Sequence, residues 1–376
     1  MGVRGLENIS LGRKEDWAAF VTAEPRTAPE RVSACELAAL TPATKAAYDR
    51  RRRDWHANMG VLRTQQLTAI HDTLWDVLDS NVHDGDRIKG AVALEGAAGL
   101  GKSTVVEQFA KEFHLREVAE HGPRTSEGNE RWPVCRVTLS GHPTMRDLNL
   151  SLLHFFAHPG IRRGSAALLA RRALDTFLAC EVRLLIVDDI HFLRWRASDG
   201  VAVSNHLKFI ANEFPITLLM VGVNLENSGL FTEGHSVSGA VLAQTARRTT
   251  RLTLDRFDAA DPVGERHWKA VLRAIDDRLI LACHRRGSLP ALADYLFARS
   301  SGHMGSLMTL INRAASRAIR TGAEALTEAV LDATRIDEAA EKSRDHEAAR
   351  LRTTRTRRAA DRRRTTIRPD TSPATA

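Results

Sequence analysis

Cysteine is scarce and scattered in this chain. The four cysteines (Cys35, Cys135, Cys180 and Cys283) form no CxxC pair and have no histidine companions at metal-ligand spacing. Neither a zinc site nor a disulfide framework is indicated, and a reducing, cytoplasmic setting is the expectation. Long apolar runs are missing as well. The longest, Ile216 to Val223, is far too short to span a bilayer, and the opening MGVRGLENIS has no hydrophobic signal core. A soluble intracellular protein without a membrane partner is expected. The 15 histidines show no metal pattern, and no guanine-selective NKxD motif occurs, which leaves ATP ahead of GTP.

What is present is enough for two or three compact units: 376 residues, 43% of them apolar. Lys and Arg number 54 against 46 Asp and Glu, a net charge of +8. That excess belongs to one place. Residues 350–368 hold nine arginines and a single acid, and an arginine block of this kind meets a polyanion such as nucleic acid.

Residues 1–60 read as an arm with one polar helix around Lys45 to His56. Residues 61–80 then place Leu62, Leu67, Ile70, Leu74, Val77 and Leu78 at helical spacing. Strands are expected at Gly90 to Leu94, Val134 to Leu139, Val182 to Val187, Ile216 to Val223 and Thr250 to Leu254, with helical stretches between them. Strands alternating with helices predict an α/β core at 61–256, a parallel sheet covered on both faces. After Phe257 the strand signal stops, so 257–337 reads as an all-helical lid. Beyond about Asp337 an acid-base helix gives way to a Thr/Arg-rich stretch with too few apolar residues to fold alone, so 338–376 reads as a basic, disordered C-terminal tail.

Gly96-Ala97-Ala98-Gly99-Leu100-Gly101-Lys102-Ser103 fits the pattern G-x4-G-K-[ST] between a predicted strand and a predicted helix, the context of a phosphate-binding P-loop. Backbone N–H groups of such a loop point at a β-phosphate, and the helix opening at Lys102, with Thr104 in its first turn, adds its positive end. Lys102 should reach the β- and γ-phosphates of ATP, and the Ser103 hydroxyl should ligate Mg2+. Leu184 to Val187 followed by Asp188 and Asp189 is a buried strand ending in two carboxylates. Asp188 is placed to hold Mg2+, and Asp189 to orient the attacking water as general base.

Together these features resemble the AAA+ ATPases and, within them, the TniB family of transposition-regulator ATPases related to TnsC. The resemblance covers roughly residues 45–335. It is carried by Tyr48, Arg51, Trp55 and His56, the P-loop, the run Asp188-Asp189-Ile190-His191, Phe209 with Asn212 and Glu213, and the turn Gly302-His303-Met304-Gly305. It implies a polar sensor at Asn224, although an asparagine capping a strand-to-loop turn fits the same place. It also implies an arginine before the fifth strand that reaches a neighbour's nucleotide; Arg247 and Arg248 match, with Arg251 a third option. Two departures stand out. Asp189 occupies a place usually held by Glu, which implies slow turnover, and Ser306 follows Gly305 where many lids present an arginine, the nearest being Arg313.

By this resemblance the chain binds target duplex DNA, assembles into a homo-oligomeric ring or filament, and recruits a transposase. No clustered acidic triad suggests that the chain cuts DNA itself. The alternatives are an origin-recognition or helicase-loading AAA+ protein, or a signalling NTPase module with a nucleic-acid-binding tail.

Overall fold

A computed structural model describes residues 10–83, 89–141, 143–193, 198–225 and 248–366. Along the chain come helices α1 (Lys14–Thr22), α2 (Ala34–Ala39), α3 (Pro42–Ala57) and α4 (Gln65–His83), then strand β1 (Ala91–Glu95) and helix α5 (Lys102–His121). Strand β2 (Val134–Thr138), helices α6 (Met145–Phe155) and α7 (Ala166–Ala179), strand β3 (Leu184–Asp188), helix α8 (Ser198–Glu213) and strands β4 (Thr217–Gly222) and β5 (Thr249–Thr253) follow. The rest is helical: α9 (Pro262–Asp276), α10 (Ser288–Ala291), α11 (Ala293–Ser300), α12 (Met304–Thr321), α13 (Glu328–Asp332) and α14 (Glu338–Thr366).

Local chemistry sets several of these starts. Thr144 and Asp147 form a reciprocal capping box at α6, and Asp261 accepts two backbone N–H groups ahead of Pro262 at α9. Each satisfies donors that the first helical turn leaves without partners. No helix among the described residues is long and apolar enough to cross a membrane.

The chain divides into two compact units, Met1–Glu24 with Gln65–Asp255, and Pro25–Thr64 with Arg256–Ala376. In the first, five parallel strands run in the order β2-β3-β4-β1-β5. All five expected strands form, their ends shifted by one or two residues. β3 and β4 are buried along their whole length, which is why they read as unbroken apolar runs rather than as alternating ones. The register aligns Glu95 with Gly222 and Val187 with Met220, so the C-terminal ends of β1, β3 and β4 share one edge. A crevice at such an edge is where open α/β sheets hold ligands.

The second unit corrects two expected boundaries. Residues 25–64 are not a free arm but part of the helical unit. The fully buried Arg52 pairs with Glu324 at 2.5 Å, Trp55 donates to the Arg278 carbonyl at 2.8 Å, and His56 Nε2 accepts the Ile280 N–H at 3.1 Å. The acid-base helix expected beyond Asp337 does not give way to a disordered tail but continues through the Thr/Arg-rich stretch as α14 as far as Thr366. Its ordering comes from charge rather than apolar burial: Arg350 pairs with Asp258, Arg355 with Asp294 and Glu265, and Arg358 with Glu265. Leu351 adds an apolar contact, joining a core built around Trp268, Phe297 and Leu310.

Two buried histidines should make both units acid-sensitive. His114 Nδ1 accepts the indole N–H of the fully buried Trp17 at 3.2 Å, and burial lowers its pKa from 6.5 to about 4. Burial, reinforced by the Arg52 charge, lowers that of His56 to about 4 as well. Each imidazole binds a proton more readily unfolded than folded, so its contribution is intact above about pH 6.5 and is lost as pH falls toward 4. Between pH 7 and pH 5 each site should lose about 2 kcal/mol. Thermal unfolding across that range checks this, with His114→Gln expected to flatten the pH dependence. An unchanged midpoint from pH 7 to pH 5 contradicts it.

Candidate nucleotide-binding site

The P-loop forms where β1 hands over to α5. Leu100 is buried and anchors it, while Ala97, Ala98 and Gly99 face solvent. Two glycines are required by geometry. A Cβ at Gly96 would lie 2.5 Å from the Leu254 carbonyl oxygen, and Gly101 caps α5 at φ +95°, a conformation that costs a side-chain-bearing residue energy. The remaining expected residues follow as one contiguous turn: Lys102 opens the helix, with Ser103 and Thr104 exposed behind it. Lys102 Nζ donates to the carbonyls of Gly96 and Ala97, both at 2.8 Å. Burial lowers the Lys102 pKa, against which Asp188 and Asp189 pull it up.

Asp188 ends β3 and is 5% exposed. Its Oδ2 accepts the Ser103 hydroxyl at 3.2 Å, so the two expected Mg2+ residues, distant in sequence, meet at one oxygen. Its Oδ1 accepts the backbone N–H of Asp189 at 2.9 Å. Asp189 itself is left-handed (φ 56°) and starts the short 3-10 turn Ile190–Phe192. That kink turns its carboxylate, 45% exposed, away from the buried strand and 3.9 Å from His191 Nδ1. One oxygen-ligand set with a hydroxyl and a carboxylate suits a hard cation such as Mg2+, and a glycine-rich loop at a helix N-terminus suits a polyphosphate. The residues present fit Mg2+-ATP.

Two residues that sequence reasoning missed complete the cluster. Arg136 of β2 places Nη2 2.9 Å from Asp188 Oδ2 and 3.0 Å from Glu107 Oε1 of α5. Burial pushes the Glu107 carboxyl up, Arg136 pulls it down, and Asp188 pushes it up again. The only sequence signal was an arginine inside a strand whose neighbours, Cys135 and Val137, are both buried.

The other expected residues separate from this cluster in an informative way. Asn224 lies just past β4, on the same edge as the P-loop, and is exposed and left-handed (φ 53°). Arg248 lies at the opposite edge: its carbonyl accepts the Ala91 N–H at 2.9 Å, at the start of β1 rather than its end. Five residues of strand, roughly 16 Å at ~3.3 Å each, separate that point from the P-loop. Arg251 is aligned with Ala93 and pairs with Glu95 at 3.5 Å. Arg247 lies outside the described residues.

Residues 52–232 match the family model described as bacterial TniB protein. No curated protein matches the chain in sequence. Among solved structures, the chain is similar to the Aeropyrum pernix ORC1 protein in complex with DNA at 16% identity, with a TM-score of 0.54 over 75% of this chain and 68% of that one. It is also similar to the Aeropyrum pernix ORC2 protein (14% identity, TM-score 0.48, 72% and 67% covered) and to Drosophila ORC bound to DNA (12%, 0.49, 85% and 72%). The first of these likenesses is one of fold, a five-stranded parallel sheet followed by helices. The matched span takes in the P-loop, Asp188 and Asn224, so the likeness to the TniB family falls on the residues of this site.

Proposed function

We propose that this chain is an ATP-dependent DNA-binding regulator of transposition, which assembles on target duplex DNA and recruits and activates a transposase. The observation that carries the reading is that the TniB match spans the same residues that bring Lys102, Ser103 and Asp188 together.

Lys102 would leave the carbonyls of Gly96 and Ala97 for the β- and γ-phosphates, whose remaining oxygens the loop N–H groups and the N-terminus of α5 would bind. Ser103 and Asp188 would hold Mg2+. When bound, Mg2+-ATP supplies the cleavable phosphoanhydride and the divalent charge that offsets its transfer. Asp189, turned outward, would orient a water and take its proton, and Asn224 would sense the γ-phosphate from the end of β4. Arg247 or Arg248 would act on a neighbouring subunit, which makes assembly part of the active site.

DNA as the partner draws support from the ORC1 relative, which was solved in complex with DNA, and from α14. Arg344, Arg350, Arg355 and Arg358 are engaged in ion pairs, while Arg352 and Arg357 lie on its exposed face, open to phosphates. Arg146, after β2, donates to the Gly164 carbonyl at 2.6 Å. An origin-recognition role has the fold likeness on its side and no family match.

The test is retention. On immobilised duplex DNA, a transposase encoded beside this chain should be held only when this protein and a non-hydrolysable ATP analogue are both present. Equal retention without either contradicts the reading.

A further inference from the structure

β2 carries a cation where the fold has little room for one. The Arg136 side chain is 12% exposed, and its Nη2 bridges two carboxylates, Asp188 from β3 and Glu107 from α5. The Asp188 oxygen that it holds, Oδ2, is the same one that the Ser103 hydroxyl reaches. Its Nε is buried without a hydrogen-bond partner, so the guanidinium is not fixed by a full set of contacts. Beside it opens a cleft of about 730 Å³, lined by Glu107, Arg136, Thr138, Ser151 and His154, with room for the side chain to withdraw.

A cation on that oxygen does two opposing things. It compensates a buried carboxylate that would otherwise be costly, and it repels a second cation brought to the same point. Glu107 offers Arg136 somewhere to go, because one nitrogen already touches both acids and needs only to let go of one.

We propose that Arg136 is a built-in stand-in for Mg2+: a positioning residue that occupies Asp188 Oδ2 until the metal and nucleotide arrive, and is then retained by Glu107. The inference rests on the reading of Ser103 and Asp188 as the Mg2+ residues. It makes two substitutions act in opposite directions. Without the Arg136 charge, Asp188 and Glu107 face each other uncompensated and a cation is taken up more readily. Without the Glu107 charge, Arg136 leans on Asp188 alone and yields it less readily. A purely structural role gives no such split.

The experiment is a Mg2+ titration of the full-length protein with a fluorescent, non-hydrolysable ATP analogue, reading the half-saturating Mg2+ concentration from binding rather than turnover. Arg136→Gln should lower that concentration about tenfold and Glu107→Gln should raise it about tenfold, the scale of one partly buried charge pair. Arg136→Lys, which keeps the charge, should stay near wild type. If Arg136→Gln does not fold, Glu107→Gln and Arg136→Lys still decide the matter. Shifts in the same direction, or none beyond twofold, overturn the inference. Wild-type protein that binds the analogue equally well with and without Mg2+ overturns the Mg2+ assignment itself.

Discussion

Replacing both Arg247 and Arg248 with alanine should reduce ATP turnover by a factor of about 10³ to 10⁵ while leaving nucleotide binding intact, the range for an arginine supplied in trans. The expectation starts from what each subunit lacks. Phosphoryl transfer builds negative charge that a cation must offset, and the turn Gly302-His303-Met304-Gly305 is followed by Ser306 rather than arginine. Arg313, the nearest arginine in α12, donates to the Arg335 carbonyl at 2.9 Å. Arg248 sits at the N-terminal end of β5, the edge strand of the sheet, and at the end of β1 remote from its own P-loop. On the proposed reading it would serve a neighbour's nucleotide rather than its own. Such a contact is head-to-tail and propagates into a ring or a filament. Mixing Lys102→Ala protein, which keeps its arginines, with the double-arginine variant, which keeps its P-loop, should restore part of the activity. If the mixture stays inactive while each variant still assembles on DNA, the arginine assignment fails.

Lys102→Ala should abolish measurable ATP binding, because it removes the one side-chain cation that opens α5 beside the loop carbonyls. Asp188→Asn should leave residual binding but weaken its Mg2+ dependence, since the amide keeps a carbonyl oxygen for Ser103 and loses the charge. Asp189→Asn should preserve binding and slow hydrolysis, for its carboxylate stands apart from the Ser103–Asp188 pair. Equilibrium binding of labelled ATP separates the three variants. Lys102→Ala protein that binds as tightly as wild type removes the basis of the site.

The candidate cluster was legible where chemistry demands contiguous residues. A P-loop must be written within eight positions, and a metal-side acid must end a buried strand, so Gly96 to Ser103 and Asp188 declare themselves. Arg136 and Glu107 do not, because neither lies in a motif. They come together beside Asp188 only once β2 takes the place next to β3 and α5 packs against β2. The helical unit hid its own organisation for a related reason. Arg52 and His56 look like a polar surface helix until Glu324 and Ile280, far along the chain, bury them. Composition misled most at α14. Counting apolar residues predicts disorder, yet Arg350, Arg355 and Arg358 meet Asp258, Asp294 and Glu265, whose positions no local pattern gives.

The most direct measurement of the central claim, that nucleotide held at the P-loop permits assembly on DNA, is sedimentation velocity of the protein with duplex DNA. Wild-type protein with a non-hydrolysable ATP analogue should sediment with the duplex as a multi-subunit species, and both nucleotide-free wild type and Lys102→Ala with the analogue should not. The same large species formed by Lys102→Ala, or by wild type without nucleotide, would contradict the account.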